Sequence, residues 1–254
     1  MQKMLRTMII REVHSKTILS KSKVFDYTIN PYIGCEHGCT YCYARFMKRY
    51  TGHKERWGEF VDVKVNAPDL LAQQINKRIT GRIWISGTCD PYQPIEKKYE
   101  LTKRCLEILS KHTMSVTIQT KSPLVIRDLE LLRKIRNLEV GLSIATADEN
   151  IRRIFEPNST PIDDRIQALE KLHSAHIKTF AMIAPVLPKT EDLPEQLENK
   201  VDHVLVDKMN YHYADWVYKK FRLEHSMNNN FFHNKKKELG AAFKKKGITA
   251  QLLF

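Results

Sequence analysis

Short apolar runs recur along the chain, and longer amphipathic stretches separate them. Runs of this length, rich in β-branched and aromatic residues, are typical of buried strands, whereas the stretches between them have helical spacing. The six predicted strands are a segment near 27–33 and the segments 82–86, 115–120, 138–146, 177–184 and 203–209.

Two of the intervening stretches carry clear helical patterns. In residues 96–112, Leu101, Cys105, Ile108 and Leu109 fall on one helical face, which predicts that Cys105 is a core residue. A second helix is predicted over 161–176. Its start is indicated by a threonine N-cap, a proline at the first helical position and two aspartates in the first turn; these are Thr160, Pro161, Asp163 and Asp164.

Strand and helix in steady alternation predict an α/β protein with a parallel sheet and right-handed crossovers, either open or curled into a barrel. In such folds, ligands bind at the carboxyl ends of the strands. We expect residues 25–210 to form this domain, residues 1–24 an N-terminal extension, and residues 211–254 a basic and aromatic C-terminal extension.

Composition limits the class of protein. Apolar residues make up 42% and charged residues 28% of the 254 residues, as in folded globular proteins. No apolar run reaches the roughly 18–20 residues that span a bilayer, and the first ten residues do not resemble a secretory signal. Five cysteines, an odd number with three clustered, suit a reducing compartment, so we expect a cytoplasmic protein without disulfides.

The net charge of +13 predicts an affinity for polyanions, with DNA or RNA as the default partner. The alternative is that the charge serves only solubility. Two lysine triplets, at 235–237 and 244–246, are open to the same two interpretations: they contact phosphate, or they form a solvated helix face.

The clustered cysteines are Cys35, Cys39 and Cys42. Three thiolates can hold three irons of a cubane cluster and leave the fourth iron open for a ligand. Gly34 and Gly38 would let the backbone wrap closely around such a group. The alternatives are a zinc site completed by His37, for which the spacing is poor, and a chance cluster of structural cysteines.

The spacing Cys-x3-Cys-x2-Cys, with Tyr41 before the last cysteine, resembles the signature of radical S-adenosylmethionine (SAM) enzymes. Three longer segments resemble spore photoproduct lyase and its relatives, and the similarity covers about residues 28–210; they are "GCEHGCTYCYAR", "TCDPYQPIEKKYELTKRCLEIL" and "RIFEPNSTPIDDRIQALEKLHSAHIKTFAMIAPVLP". The resemblance implies a partial (β/α)6 TIM-like barrel, a 4Fe-4S cluster, SAM as cofactor, and an electron donor such as flavodoxin or ferredoxin.

The same resemblance assigns roles to residues near the strand ends. Asp90 is expected to accept from the amino group of SAM, and Lys121 and Ser143 to hold its carboxylate, which are also the charge-complementary choices. Tyr41 and Tyr43 are both expected to be catalytic residues, one near the adenine and one able to relay a hydrogen atom, and Tyr41 is also expected to bind the cofactor. Without the family context, the lysine could be a solvated loop residue, the serine a buried strand hydroxyl, and the tyrosines packing residues.

One position departs from the lyase pattern. The lyase has a hydrogen-donating cysteine three residues before the aspartate, where this chain has Gly87, while Cys89 directly precedes Asp90. Cys89 either replaces the missing donor or faces the cofactor, and we favour the second, because neighbouring residues after a strand tend to point to opposite sides. Efficient repair of the thymine photoproduct is therefore not expected.

The sequence thus predicts a radical SAM enzyme that acts as a monomer, away from membranes, on a polyanionic substrate such as DNA or RNA. Whether it is a lyase or a transferase stays open. The alternatives are a radical SAM enzyme that acts on a protein or a metabolite, and a non-catalytic iron-sulfur or zinc module that binds nucleic acid.

Overall fold

The computed structural model describes residues 8–75 and 79–254. The strands are β1 Ile9–Val13, β2 Leu19–Lys21, β3 Tyr27–Ile29, β4 Tyr32–Ile33, β5 Phe60–Lys64, β6 Arg82–Ile85, β7 Ser115–Thr120, β8 Asn137–Ser143, β9 Lys178–Ile183, β10 His203–Val206 and β11 Thr249–Leu252. The α-helices are α1 Ala67–Gln74, α2 Glu96–Tyr99, α3 Leu101–Leu109, α4 Leu129–Leu132, α5 Glu149–Phe155, α6 Ile162–Ser174, α7 Leu193–Gln196, α8 Asp215–Lys220 and α9 Asn229–Lys245. Short 3-10 helices are Tyr43–Tyr50, Pro123–Asp128, His212–Ala214 and Glu224–Ser226.

The main sheet has eight strands in the order β11-β10-β9-β8-β7-β6-β3-β2. All neighbouring pairs are parallel except the edge pair β2–β3. Its central six strands, β3 and β6 to β10, are the six that the sequence predicts, and they are neighbours in chain order. This is the winding of a partial barrel, so the predicted α/β class is confirmed.

Several predicted strands end earlier than expected. β8 stops at Ser143 rather than at 146, and β10 stops at Val206 rather than at 209. Apolar residues past the end of β8, such as Ile144 and Ala145, stay buried, so hydrophobicity alone does not mark the end of the strand. The first predicted strand divides into β3 and β4, and β4 pairs with β5 in a second sheet of order β1-β5-β4.

The predicted helix over 96–112 is two helices, because Glu100 between α2 and α3 adopts the left-handed conformation with φ 49°. The fully buried Glu96 carboxylate accepts from the backbone N–H groups of Thr102 at 3.0 Å and Lys103 at 3.2 Å, and so caps the first turn of α3. Cys105 is fully buried in the core, as predicted.

Helix α6 begins one residue later than predicted, and Thr160 is not its N-cap. Pro161 has the N-cap position, and the Thr160 hydroxyl donates to the backbone carbonyl of Lys121 instead. The predicted aspartates, Asp163 and Asp164, do lie in the first turn of α6. The threonine is therefore used to tie this helix to the end of β7.

The predicted extensions are folded onto the central strands. β1 pairs with β5, and β11 extends the main sheet beyond β10. Helix α9 buries Leu239 and Phe243 completely. The proposed boundaries at 24 and 210 stay predictions, and residues 1–7 of the N-terminal extension lie outside the described residues. No helix within 8–75 and 79–254 is long and apolar enough to cross a membrane.

The lysine triplets are partly structural. Lys235 is 7% exposed and forms ion pairs with Glu191 and with Glu238, the latter at 3.0 Å. Lys246 pairs with Glu198 at 2.8 Å. One lysine of each triplet thus fixes α9 to the rest of the fold, and these two side chains are not a free phosphate-binding face.

Candidate active site

The cysteine loop follows β4 and ends where the 3-10 helix Tyr43–Tyr50 begins. Gly34 has φ +89°, and a Cβ there would overlap the carbonyl oxygen of Phe60; Gly38 has φ +59°, and its Cβ would lie 3.3 Å from Gly58 Cα. The loop therefore needs glycine at both positions. It is anchored from far along the chain, because Thr40 N–H donates to Phe155 O at 2.8 Å.

A cavity of about 110 Å³ lies between this loop and the carboxyl ends of β6, β7 and β8. It contains eight of the nine predicted site residues. Its walls are formed by Cys35, His37, Cys39, Cys42, Tyr43, Ala44, Trp57, Trp84, Ser86, Gly87, Thr88, Cys89, Asp90, Gln119, Thr120, Lys121 and Ser143. Tyr41, the ninth, does not line the cavity.

Asp90 is held by four donors. Its carboxylate accepts from Tyr92 N–H at 2.9 Å, Thr120 Oγ1 at 2.6 Å and Lys121 N–H at 2.7 Å, and lies 3.4 Å from His37 Nδ1. Burial alone would raise the pKa of the carboxyl, but the histidine charge and these hydrogen bonds lower it to about 2. Asp90 is therefore an anion that fixes the turn after β7.

Lys121 and Ser143 lie at the ends of β7 and β8. The Lys121 ammonium is 3.9 Å from a Glu156 carboxylate oxygen. Burial disfavours this ammonium, but its charge interactions with Cys39 and Glu156 outweigh burial and raise the pKa, so Lys121 is a cation at the cavity. Ser143 Oγ accepts from Gln119 Nε2 at 3.0 Å, which leaves its own proton to donate to a ligand.

Tyr41 points away from the cavity into a buried polar network. It is 8% exposed, and its hydroxyl donates to Glu156. Glu156 in turn pairs with Arg165 at 2.7 Å. The Lys121 ammonium lies 5.8 Å from the centre of the Tyr41 ring. This is the packing arrangement with a satisfied hydroxyl, and the adenine-binding role of Tyr41 stays a prediction.

Tyr43 and Gly87 form one wall of the cavity, since the Tyr43 hydroxyl donates to the Gly87 carbonyl. A Cβ on Gly87 would lie 3.2 Å from the Trp84 ring, so this position has little room for a larger residue. Cys89 lines the cavity and also packs against the apolar cluster around the second sheet. Burial raises the pKa of its thiol to about 12, which makes Cys89 a neutral S–H group.

The three loop thiols supply the donor set that iron-sulfur clusters use, since thiolates are their usual ligands. Burial raises the pKa of each thiol, and for Cys35 the nearby negative groups add to the effect, so thiolates there need a cationic group to stabilise them. In the described part of the chain, no three His, Cys, Asp or Glu side chains gather closely enough to share one metal ion. The His37 Nδ1 atom contacts the Asp90 carboxylate, which also argues against the zinc alternative.

Sequence reasoning missed three residues that organise the site and considered a fourth, His37, only as a zinc ligand, whereas it contacts Asp90. The three are Gln93, which acts on the cysteine loop, and the buried pair Glu156 and Arg165. The side-chain oxygen of Gln93 accepts a hydrogen bond from Glu36 N–H at 2.9 Å, and its side-chain nitrogen donates to Gly34 O at 3.3 Å. The sequence did carry a signal for this pair. Glu156 and Arg165 lie in a segment that is otherwise typical of the start of a buried helix, and a buried charge needs a partner of opposite charge.

The sequence model of the radical SAM superfamily matches residues 29–201. An uncharacterised protein of Methanocaldococcus jannaschii is 40% identical over 186 residues, which cover 72% of this chain and 70% of that protein. An uncharacterised protein of Mycobacterium tuberculosis is 28% identical over 76% of this chain, and this chain spans 60% of its length.

Among solved structures, a spore photoproduct lyase variant with bound AdoMet and dinucleoside spore photoproduct has a TM-score of 0.69 and 18% identity, and the match covers 98% of this chain and 82% of the lyase. At this identity the likeness shows a shared fold. The cysteine loop at the carboxyl edge of the sheet lies within the segment that the superfamily model matches. The chain is therefore a member of the radical SAM superfamily, with a fold of the spore photoproduct lyase type.

Proposed function

We propose that this protein reductively cleaves SAM at a 4Fe-4S cluster held by Cys35, Cys39 and Cys42, and uses the resulting 5′-deoxyadenosyl radical to abstract hydrogen from a nucleic-acid substrate. The observation that carries the proposal is that three thiols, two of them buried, share one cavity with a lysine cation and an aspartate anion. A zwitterionic amino acid group is the ligand that such an arrangement complements.

Each neighbouring side chain has a role in this proposal. Lys121 and the free proton of Ser143 bind the carboxylate of SAM, and Asp90 attracts its amino group. The Asp90 oxygens already accept three hydrogen bonds within the protein. The ammonium of SAM would therefore share this carboxylate with those donors. Tyr43 borders the space left for the substrate, where its hydroxyl is positioned by Gly87 O.

The substrate class rests on charge and on fold. The chain has a net charge of +13, and the similar lyase structure contains a dinucleoside photoproduct. Gly87 has no thiol that could donate a hydrogen atom, so the proposed substrate differs from the thymine photoproduct. A reducing, cytoplasmic location with a flavodoxin or ferredoxin as electron donor, and a monomeric state, belong to the same proposal.

Anaerobic reconstitution tests the chemistry. The protein is expected to become brown and to hold about four irons and four sulfides per chain. With dithionite and SAM it should then release 5′-deoxyadenosine even without substrate. A colourless protein that holds one stoichiometric zinc, and no 5′-deoxyadenosine above the level of a Cys42→Ala control, would contradict the proposal.

A further inference from the structure

A row of stacked tyrosines leads out of the candidate active site. Tyr43, which lines the cavity, stacks on Tyr211 with ring centroids 6.1 Å apart and 21° between planes. Tyr211 stacks on Tyr213 with centroids 5.8 Å apart and 8° between planes. Tyr43 and Tyr211 are 38% and 49% exposed. The three rings, called here the tyrosine track, thus connect the cavity to the surface.

The outer end of the tyrosine track is positively charged. The Arg45 guanidinium lies 4.7 Å from the centre of the Tyr213 ring. Arg45 and Tyr213 also border a shallow hollow of about 520 Å³ whose wall includes Lys48 and Arg49. Arg49 is exposed, and its guanidinium is 6.0 Å from the Tyr50 ring rather than on the track.

The acidic groups beside the track are already paired. Glu55 lies 2.8 Å from His53 Nδ1, and Asp215 lies 3.1 Å from His212 Nδ1. No carboxylate borders the hollow itself, whose described lining includes Arg45, Lys48 and Arg49, so the surface presents aromatic rings next to cations.

The geometry points to the tyrosine track as the binding surface for a single-stranded nucleic acid, whose bases stack along Tyr211 and Tyr213 while Arg45, Lys48 and Arg49 contact its phosphates. Proteins bind single strands by this combination of aromatic stacking and a cationic groove. An acidic electron-transfer protein would match the charge, but it does not account for stacked rings that begin at the cavity wall.

The inference rests on the proposed function only in taking the cavity as the place where the substrate reacts. The inference also gives the C-terminal segment a role in substrate binding, since Tyr211 and Tyr213 lie beyond the central strands. The lysine triplets of α9 are not needed for it.

The test is fluorescence anisotropy of a labelled single-stranded oligonucleotide of about twelve nucleotides, a length within the usual site sizes. Tyr211→Ala and Tyr213→Ala should each weaken binding by about fivefold or more in the reconstituted protein, because stacking is lost. Tyr211→Phe should bind like the wild type. Arg49→Gln should reduce the slope of log K against log salt by about one.

Tyr50→Ala is the matched control, since Tyr50 is 70% exposed but not in the stack, and it should bind like the wild type. Iron content and melting temperature establish that each variant is folded. Wild-type affinity in both alanine variants of the track would overturn the inference. So would unchanged oligonucleotide binding together with slower reduction by flavodoxin, since the surface would then serve an acidic protein. Failure of the proposed function shows separately, as absence of 5′-deoxyadenosine from the wild-type protein.

Discussion

Glu156 and Arg165 form an ion pair of 2.7 Å in which both side chains are only 1% exposed. Glu156 also accepts from the hydroxyl of Tyr41 in the cysteine loop. Arg165 donates to Ser143 O at 2.8 Å at the end of β8. The pair therefore joins the cysteine loop to the strand end that carries a proposed cofactor ligand.

Replacing Glu156 by Gln should destabilise the protein by on the order of 3 kcal/mol at neutral pH, because Arg165 is left as a buried charge without its partner. Burial would raise the pKa of Glu156, but Arg165 and Lys121 lower it from 4.5 to about 2. Since the folded-state pKa is the lower one, this stabilisation is present above about pH 4.5 and is lost as the pH falls towards 2.

Urea unfolding of the iron-free protein at a series of pH values measures this. The difference in the free energy of unfolding between wild type and Glu156→Gln should be constant from pH 7 to about 5. Below that pH, this difference should become smaller. Glu130→Gln is the control, because Glu130 pairs with Arg133 but is 79% exposed, and its effect should be small throughout. A difference that does not depend on pH would contradict the assignment.

Cluster assembly should depend on three of the five cysteines. Cys35→Ala, Cys39→Ala and Cys42→Ala should each lose the iron, since these three thiols lie together on one loop of the cavity wall. Cys105→Ala should keep the iron and lose about 1–2 kcal/mol of stability, because this thiol is fully buried in the core. Iron and sulfide content after anaerobic reconstitution, with urea unfolding, distinguishes the two classes. Normal iron in any of the first three variants would exclude that cysteine as a ligand.

Lys121→Met and Ser143→Ala should weaken SAM binding by about tenfold or more and keep the iron, because each removes a donor to the proposed carboxylate site. Equilibrium dialysis with labelled SAM measures the affinity. Lys97→Met, at an exposed lysine away from the cavity, is the matched control. Unchanged affinity in both site variants would show that the roles implied by the lyase resemblance do not hold at these positions.

Asp90→Asn should weaken SAM binding more than Lys121→Met or Ser143→Ala does. The reason is that the Asp90 carboxylate also orders the turn after β7, where it accepts from the Thr120 hydroxyl and the Lys121 N–H. We expect lower SAM affinity together with a lower melting temperature. A loss of affinity at an unchanged melting temperature would instead assign Asp90 to the ligand alone.

The reduced enzyme should release little thymine from a dinucleoside spore photoproduct, since Gly87 has no hydrogen to donate from a side chain. Chromatography of the products measures this. Cys89 is the residue to vary, because its neutral thiol lines the cavity. Robust repair that disappears in Cys89→Ala would make Cys89 the hydrogen donor and would overturn our preference for a position facing the cofactor.

The parallel main sheet was predictable because strands and helices alternate along the chain, which makes each crossover join two parallel strands. The second sheet was not. β4 has only two residues, and β5 alternates too little, since Phe60, Val61 and Val63 are all buried. The break between α2 and α3 at Glu100 could not be predicted either. Glutamate is an ordinary helix residue, so nothing in the sequence indicates that Glu100 adopts the left-handed conformation.

The lining of the candidate site was predictable where a residue faces a ligand, and less so where it faces another residue. Asp90, Lys121 and Ser143 follow three strands, so their meeting at one edge follows from the fold. The contact of His37 with Asp90 joins positions far apart in the chain, and no local pattern encodes such a contact. The pairing of Glu156 with Arg165 connects the end of α5 to the first turn of α6, and it draws the Tyr41 hydroxyl to Glu156, so Tyr41 does not line the cavity.

The anchoring of the cysteine loop by Phe155 also has a consequence for the order of events during synthesis. Cys39 is 6% exposed, and the segment that covers it includes Ala145, Ile151 and Phe155, which are translated more than a hundred residues later. The nascent loop therefore has accessible thiols long before its cover exists. Any group that binds these thiols can reach them freely on the ribosome, whereas in the folded protein it reaches them through the cavity that they line.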